Sequence, residues 1–430
     1  MNIGVRQNGA PFALPPADYG QHIFVDGGTG AGKSVLLSNM AAPLLERGDG
    51  VCLIDPHGSL ADDFLGLIPP RRHRDLVFLN MADLEHPIGL PFITDIPPDK
   101  RFKVAEDIVA TFVHIWGREA VGDRSQMVLR NSLRAVMDDG GTLLSIPKLL
   151  KNKKYRAQVL RSVADEYVNF NWTEVLGDHS KGKEDDVVSP ILNKFDAILV
   201  PPLRNIFGQP KATIDLRKMM DEGRILIVSL QKGMIGELPA RFLGALIVGA
   251  ISNAAFSRAD QLASGIEPRP FHLFADEYHA FVSSSFDHIL SEARKYALHF
   301  RLAGQFLGQA EPRLQQSILV NCGSTIVFRC SADDAERMAR HLSWNNPDYL
   351  HGLPNYTAMG RFLVNGRVSG PHELKTYPPP VPVNDRVEEM IRYSASRFGR
   401  EREAVERRIS GFLRGHAQGK RKIPQARWEG

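Results

Sequence analysis

Eight residues near the start of the chain, Gly27-Gly28-Thr29-Gly30-Ala31-Gly32-Lys33-Ser34, set a run of small residues before a lysine and a hydroxyl, with the spacing G-x-x-x-x-G-K-[ST]. These types suit one task, the holding of a polyphosphate. Glycines let the backbone wrap an anion and aim several N–H groups at its oxygens. A helix starting near Lys33 adds its positive N-terminal end. Lys33 then reaches the β- and γ-phosphates, and the Ser34 hydroxyl serves as a Mg²⁺ ligand, so ATP with Mg²⁺ is the cofactor this spacing calls for. Context gives the pattern its weight. An apolar run, His22–Val25, precedes the loop, and a helical pattern, Ser34–Arg47, follows it.

A second element agrees with the first. The apolar run from Phe271 to Ala275 leads into Asp276-Glu277. An aspartate at the end of a buried strand holds Mg²⁺ through water, and a neighbouring glutamate polarises the attacking water. Alone, such a pair is as good a turn or a helix cap; beside a phosphate loop it reads as hydrolytic machinery. Gln305, just past the run Phe300–Ala303, is an amide suited to sensing a γ-phosphate or a water, or else a plain polar loop residue.

These groups need a sheet to hold them. His22–Val25, the helix Ser34–Arg47 and Val51–Asp55 form a strand–helix–strand unit, which implies parallel strands. Leu76–Leu79 reads as a third strand. From about residue 100 to 217 the pattern changes to helical spacing, as in Val104, Ile108, Phe112 and Ile115 of Arg101–Trp116. Ser125–Met137, Lys148–Phe170 and Val188–Val200 continue it with no comparable strand, so this stretch reads as an inserted all-α domain. It accounts for the roughly 240 residues between Ser34 and Asp276. Strands resume at Ile225–Leu230, Phe271–Asp276, Phe300–Ala303 and Thr325–Arg329, with helices at Leu238–Ser257 and Asp287–Leu298. The fold class is therefore α/β, with a mainly parallel sheet plus an all-α insertion. The divisions are an N-terminal arm at 1–20, rich in Pro and Gly; the first part of the nucleotide domain at 21–99; the insertion at 100–217; the second part at 218–380, with a peripheral hairpin at Arg361–Val364 and His372–Thr376; and C-terminal helices with a basic tail at 381–430.

Composition excludes little: 43% apolar and 24% charged residues with a net charge of +4 describe an ordinary globular protein. The charge is uneven. From Arg392 onward there are eleven Lys/Arg against four Asp/Glu, a tail suited to nucleic acid or an acidic partner, and equally to plain solvation. Cys52, Cys322 and Cys330 have no metal-type or disulfide-type spacing and read as free thiols of a reducing cytoplasm. The longest apolar stretch, Phe242–Phe256, is interrupted by Ser252 and Asn253 and reads as too short for a membrane span. No signal peptide pattern opens the chain, so the expected location is cytoplasmic. His57, His272 and His279 have no ligand spacing and read as core or turn histidines. No Ser–His–Asp or Cys–His arrangement is defensible.

Together, the loop Thr29–Ser34 (TGAGKS), the pair Asp276-Glu277, the run Ser291–Tyr296 (SEARKY) and Gln305 resemble the HerA–FtsK superfamily of ring ATPases. The inserted helical segment, Asp55-Pro56-His57-Gly58 and Asn205–Asp215 are most similar to the type IV secretion coupling proteins of conjugation. The likeness runs from about Gln21 to about His341. It implies a RecA-like P-loop NTPase domain, a homohexameric ring with ATP between subunits, and DNA as the substrate. It assigns Lys33 and Ser34 to phosphate and Mg²⁺, Asp276 to Mg²⁺, Glu277 to water activation and Gln305 to γ-phosphate sensing. It also makes Arg294 the arginine finger for a neighbour's nucleotide; read without it, Arg294 is a solvated cation, and Arg329 is the runner-up. Family coupling proteins usually carry an N-terminal membrane anchor and HerA-type motors an N-terminal barrel, whereas this chain reaches its phosphate loop after 26 residues.

Ligands of open α/β sheets bind beyond the carboxyl ends of the strands, and a translocating ring grips phosphates with pore loops. By position the pore candidates are Lys232 in Gln231-Lys232-Gly233 and Ser284 in Ser283–Phe286. The expected function is thus an ATP-hydrolysing DNA translocase, sequence-nonspecific on single- or double-stranded DNA, with relaxase or secretion-channel partners. Two alternatives stand beside it: a HerA-like motor for DNA processing or defence, and an ATP-gated docking module for secreted protein substrates.

Overall fold

The computed structural model describes residues 1–175, 181–282 and 286–414. Eleven strands make one sheet: β1 (Asn2–Arg6), β2 (Pro11–Ala13), β3 (His22–Asp26), β4 (Gly50–Asp55), β5 (Leu76–Asn80), β6 (Ile225–Ser229), β7 (Phe271–Ala275), β8 (Leu298–Gly304), β9 (Cys322–Val327), β10 (Thr357–Val364) and β11 (Arg367–Thr376). Their order is β2-β1-β11-β10-β9-β3-β8-β7-β4-β6-β5. The seven from β9 to β5 run parallel, and the other four pair antiparallel.

The central strands are buried along their whole length, as parallel strands covered on both faces must be. Alternation divides their side chains. Ile23, Val25, Val51, Leu53, Ile225 and Ile227 face a layer that includes Leu36, Leu37 and Met40 of the helix Lys33–Arg47. Phe24, Cys52, Ile54, Leu226 and Val228 face the opposite layer. There the helix Glu237–Phe256 lies between the sheet and the helices that precede β6. Phe242 is fully buried and meets Phe112 edge-on at 5.1 Å and Phe207 at 6.1 Å. The inserted helices therefore share a core with the sheet. Among the described residues no strand lies between Asn80 and Ile225.

Four sequence expectations change. The arm at 1–20 contains β1 and β2, which pair with each other and with β11, and Ile3 and Leu14 are buried. The hairpin β10–β11 is not peripheral, because β10 pairs with β9 and extends the main sheet. Lys148–Phe170 is not continuous: it divides into Ser145–Lys151, Lys153–Leu160 and Glu166–Phe170, with Asn152 and Asp165 capping the second and third pieces. The helix expected over Asp287–Leu298 ends at Glu292; a 3₁₀ turn, Ala293–Tyr296, follows, and β8 starts at Leu298. One helical stretch, Glu237–Ala263, is long and apolar enough by composition to cross a membrane, which the interrupted run Phe242–Phe256 did not suggest; two thirds of its most apolar window is buried.

The C-terminal helices close the free edge. Ser394, on the helix Val387–Phe398, accepts the Phe78 N–H of edge strand β5 at 2.8 Å, satisfying a backbone donor that an edge otherwise leaves open. The helix Arg402–Leu413 buries Val405 and Ile409 against Leu144. The basic tail beyond Arg414 lies outside the described residues.

Candidate nucleotide site

The phosphate loop joins β3 to the helix Lys33–Arg47. Gly27, Gly30 and Gly32 have φ of +151°, +74° and +121°. At Gly27 a Cβ would come within 2.6 Å of the Phe328 Cβ, so only glycine lets the loop leave the sheet here. Gly28 N–H donates to Arg329 O at 2.7 Å, and Tyr356 N–H donates to Ala31 O at 2.8 Å. The loop is thus tied to the segments after β9 and before β10, while Thr29, Gly30 and Ser34 stay exposed. Lys33 Nζ donates to Gly27 O and, at 3.0 Å, to Gly28 O, which places the ammonium inside the loop's own cradle. Burial lowers the pKa of Lys33 against the pull of Asp276, Asp26 and Glu277.

Parallel pairing brings the distant acidic pair to the same edge. β7 lies between β4 and β8, so Asp276 and Glu277 stand beside Asp55 and near Gln305. Burial raises the Asp276 carboxyl to about 6, the Asp55 carboxylate adds to this, and Lys33 opposes it. Glu277 has φ +51°. Its Oε1 accepts from Gln305 Nε2 at 3.2 Å and lies 3.1 Å from His57 Nε2; its Oε2 accepts from Lys232 Nζ at 2.9 Å. Burial alone would raise the Glu277 carboxyl, but the bonds to Lys232 and His57 outweigh it and hold it low.

Two placements add to the sequence reading. His57 is no plain turn histidine, since its ring meets Glu277. Lys232, the pore candidate, bonds Glu277 through its ammonium and lies 3.7 Å from Glu237. Ser284 lies outside the described residues. Arg294 is exposed in the turn before β8, whereas Gln305 follows that strand, so about 20 Å of strand separates Arg294 from its own site. Arg329, the runner-up, is exposed and its carbonyl braces its own phosphate loop.

Asp26, the residue before Gly27, was missed. It is fully buried and neither carboxyl oxygen has a hydrogen-bond partner. Burial, reinforced by Asp334, pushes its pKa well up, against Lys33. Its one sequence signal is a carboxylate closing an otherwise apolar strand.

The donor set fits a nucleotide polyphosphate with Mg²⁺. Backbone N–H groups and a lysine suit phosphate oxygens, and the Ser34 hydroxyl and Asp276 carboxylate are the hard oxygen ligands Mg²⁺ takes.

Residues 7–345 match the type IV secretion-system coupling protein DNA-binding domain. The chain belongs to that family. Among solved structures, this coupling-protein chain is similar to the plasmid coupling protein TrwB in complex with the non-hydrolysable GTP analogue GDPNP, at 18% identity and TM-score 0.67 over 90% of this chain and 92% of that one. It is also similar to TrwB in complex with ADP and Mg²⁺, at 17% identity and TM-score 0.64 over the same shares. VirB4 of Thermoanaerobacter pseudethanolicus matches at 12% identity and TM-score 0.55, over 88% of this chain and 96% of that one. At these identities the likeness speaks for the fold. No curated protein matches the sequence.

Proposed function

We propose that this coupling-family protein is an ATP-hydrolysing DNA translocase that works as a homohexamer in conjugative transfer. The observation that carries the reading is the convergence of Lys33, Asp276, Glu277 and Gln305 at one sheet edge within a DNA-binding family. A docking module that only binds ATP has no use for a glutamate and an amide held together beside the phosphate loop.

ATP with Mg²⁺, when bound, supplies the phosphoanhydride bond: a water oxygen bonds to the γ-phosphorus as the bond to the ADP oxygen breaks. The loop N–H groups and Lys33 hold the phosphates, and Ser34 and Asp276 hold the metal. Glu277 receives the proton of the attacking water, and Gln305 orients that water. Arg294 serves a neighbouring subunit; its distance from its own loop supports that role. The helices between β5 and β6 ride on the motor through the helix Glu237–Phe256. A relaxase and secretion-channel proteins are the partners, and the cytoplasm, at the inner face of the membrane, is the place of action.

The test is the steady-state ATPase rate with and without single- and double-stranded DNA at low and moderate salt. Stimulation that fades as salt rises supports the motor and identifies the strand form. Turnover indifferent to DNA, in a verified hexamer, would replace it with the docking reading. Copurification of a nuclease with DNA-stimulated turnover would favour the HerA-like alternative.

A further inference from the structure

Every acceptor oxygen of Glu277 is already engaged. Lys232 bonds Oε2 at 2.9 Å, and His57 and Gln305 share Oε1 at 3.1 and 3.2 Å. A carboxylate held this way is not free to turn toward a water. Of the three partners Lys232 is the ammonium, and its chain segment reaches the outer surface, as the His57 ring also does.

Lys232 opens a single helical turn, Lys232–Ile235, set between Gln231 at φ +48° and Gly236 at φ +94°. The turn is pinned at its base, where Lys232 N–H donates to Pro56 O at 2.9 Å. Its outer side is bare: Met234 is 63% exposed, and a Cβ at Gly233 would meet nothing within 4 Å. The Lys232 side chain is 23% exposed, against 13% for Glu277, and Glu237 lies 3.7 Å from its ammonium on the solvent side. Glu237 therefore already shares the same ammonium from the solvent side. A polyanion against this turn would compete directly with Glu277 for the ammonium.

We propose that Lys232 is a positioning residue that couples the track to hydrolysis: with the turn empty it holds Glu277 away from the attacking water, and a nucleic-acid phosphate on the turn draws the lysine off and frees the glutamate. This rests on the reading of the chain as a DNA-driven ATPase.

The experiment uses the full chain and Lys232→Met, which keeps the aliphatic stem and removes the charge. Turnover is measured without DNA and with single- and double-stranded oligonucleotides, alongside the affinity for a fluorescent non-hydrolysable ATP analogue. A charge-assisted hydrogen bond of ordinary strength predicts a DNA-free kcat raised on the order of tenfold, with KM and analogue affinity changed less than about twofold and little further stimulation by DNA. Lys232→Arg, which keeps a cation, should turn over more slowly without DNA than Lys232→Met. Adding Glu277→Gln to Lys232→Met should abolish the gain. A DNA-free kcat in Lys232→Met equal to or below wild type overturns the proposal, including the case in which DNA stimulation alone is lost, since that describes a lysine that only grips the track. The motor reading fails separately, on a wild-type hexamer indifferent to DNA.

Discussion

Lowering the pH from 7 to 5 should remove stability through His272, a fully buried ring in β7. Arg301, itself fully buried, stands 3.2 Å from His272 Nδ1, and Asp49 Oδ2 lies 3.2 Å from Nε2. Arginine only donates, so Nδ1 accepts and the neutral ring carries its proton on Nε2, donating to Asp49. Burial drives the pKa of His272 down to about 4, with Asp49 opposing and Arg301 assisting. In the unfolded chain the same ring takes its proton near 6.5. Between those two values the unfolded state binds more protons, so stability is full above about 6.5 and is lost as the pH falls toward 4. Across the roughly 1.5 units from 6.5 to 5, at about 1.4 kcal/mol per unit, the loss is about 2 kcal/mol. The assay compares urea unfolding of wild type and His272→Gln at pH 7 and pH 5. Glutamine keeps an N–H for Asp49 and does not titrate. The comparison also cancels Asp276, whose raised pKa works in the opposite direction over the same window. The variant should be the less stable protein at pH 7, and the gap should narrow by about 2 kcal/mol at pH 5. A gap of the same size at both pH values would refute a buried neutral His272.

Glu277→Gln should bind ATP analogues as wild type does while its turnover drops by roughly 10²- to 10⁴-fold, the usual reach of a general base; near-normal turnover in a steady-state assay would remove Glu277 from that role. Arg294→Ala subunits titrated into wild-type rings should depress ATPase activity more steeply than dilution, and a proportional loss would return Arg294 to the solvated surface. Phe242→Ala should cost about 3–5 kcal/mol in urea unfolding, because the ring joins the sheet's core to Phe112 and Phe207. A loss under about 1 kcal/mol would mean that the inserted helices do not depend on that contact.

What was legible in the sequence was local. The phosphate loop needs glycines at strained positions, a lysine and a hydroxyl within eight residues, and its flanking strand and helix lie directly beside it. Apolar runs marked the buried strands β3, β4, β6 and β7, because a parallel strand covered on both faces has no polar side to confuse the pattern. The helix Arg101–Trp116 has the expected bounds because its apolar spacing is regular and Gly117 ends it. Hidden from that reading was whatever two distant segments decide jointly. The strands of the first twenty residues exist because β11, more than 350 residues later, offers them an edge to pair with. His57 reads as a core or turn histidine and Lys232 as a pore candidate until β4, β6 and β7 align in register and bring both side chains onto Glu277. Arg294 is one more surface cation until the direction of β8 sets it at the edge opposite its own nucleotide loop. Residue types and short spacings determine which chemistry is available; the order and direction of the strands decide which of those groups meet, because strands buried on both faces lack the alternation that would mark their register in the sequence.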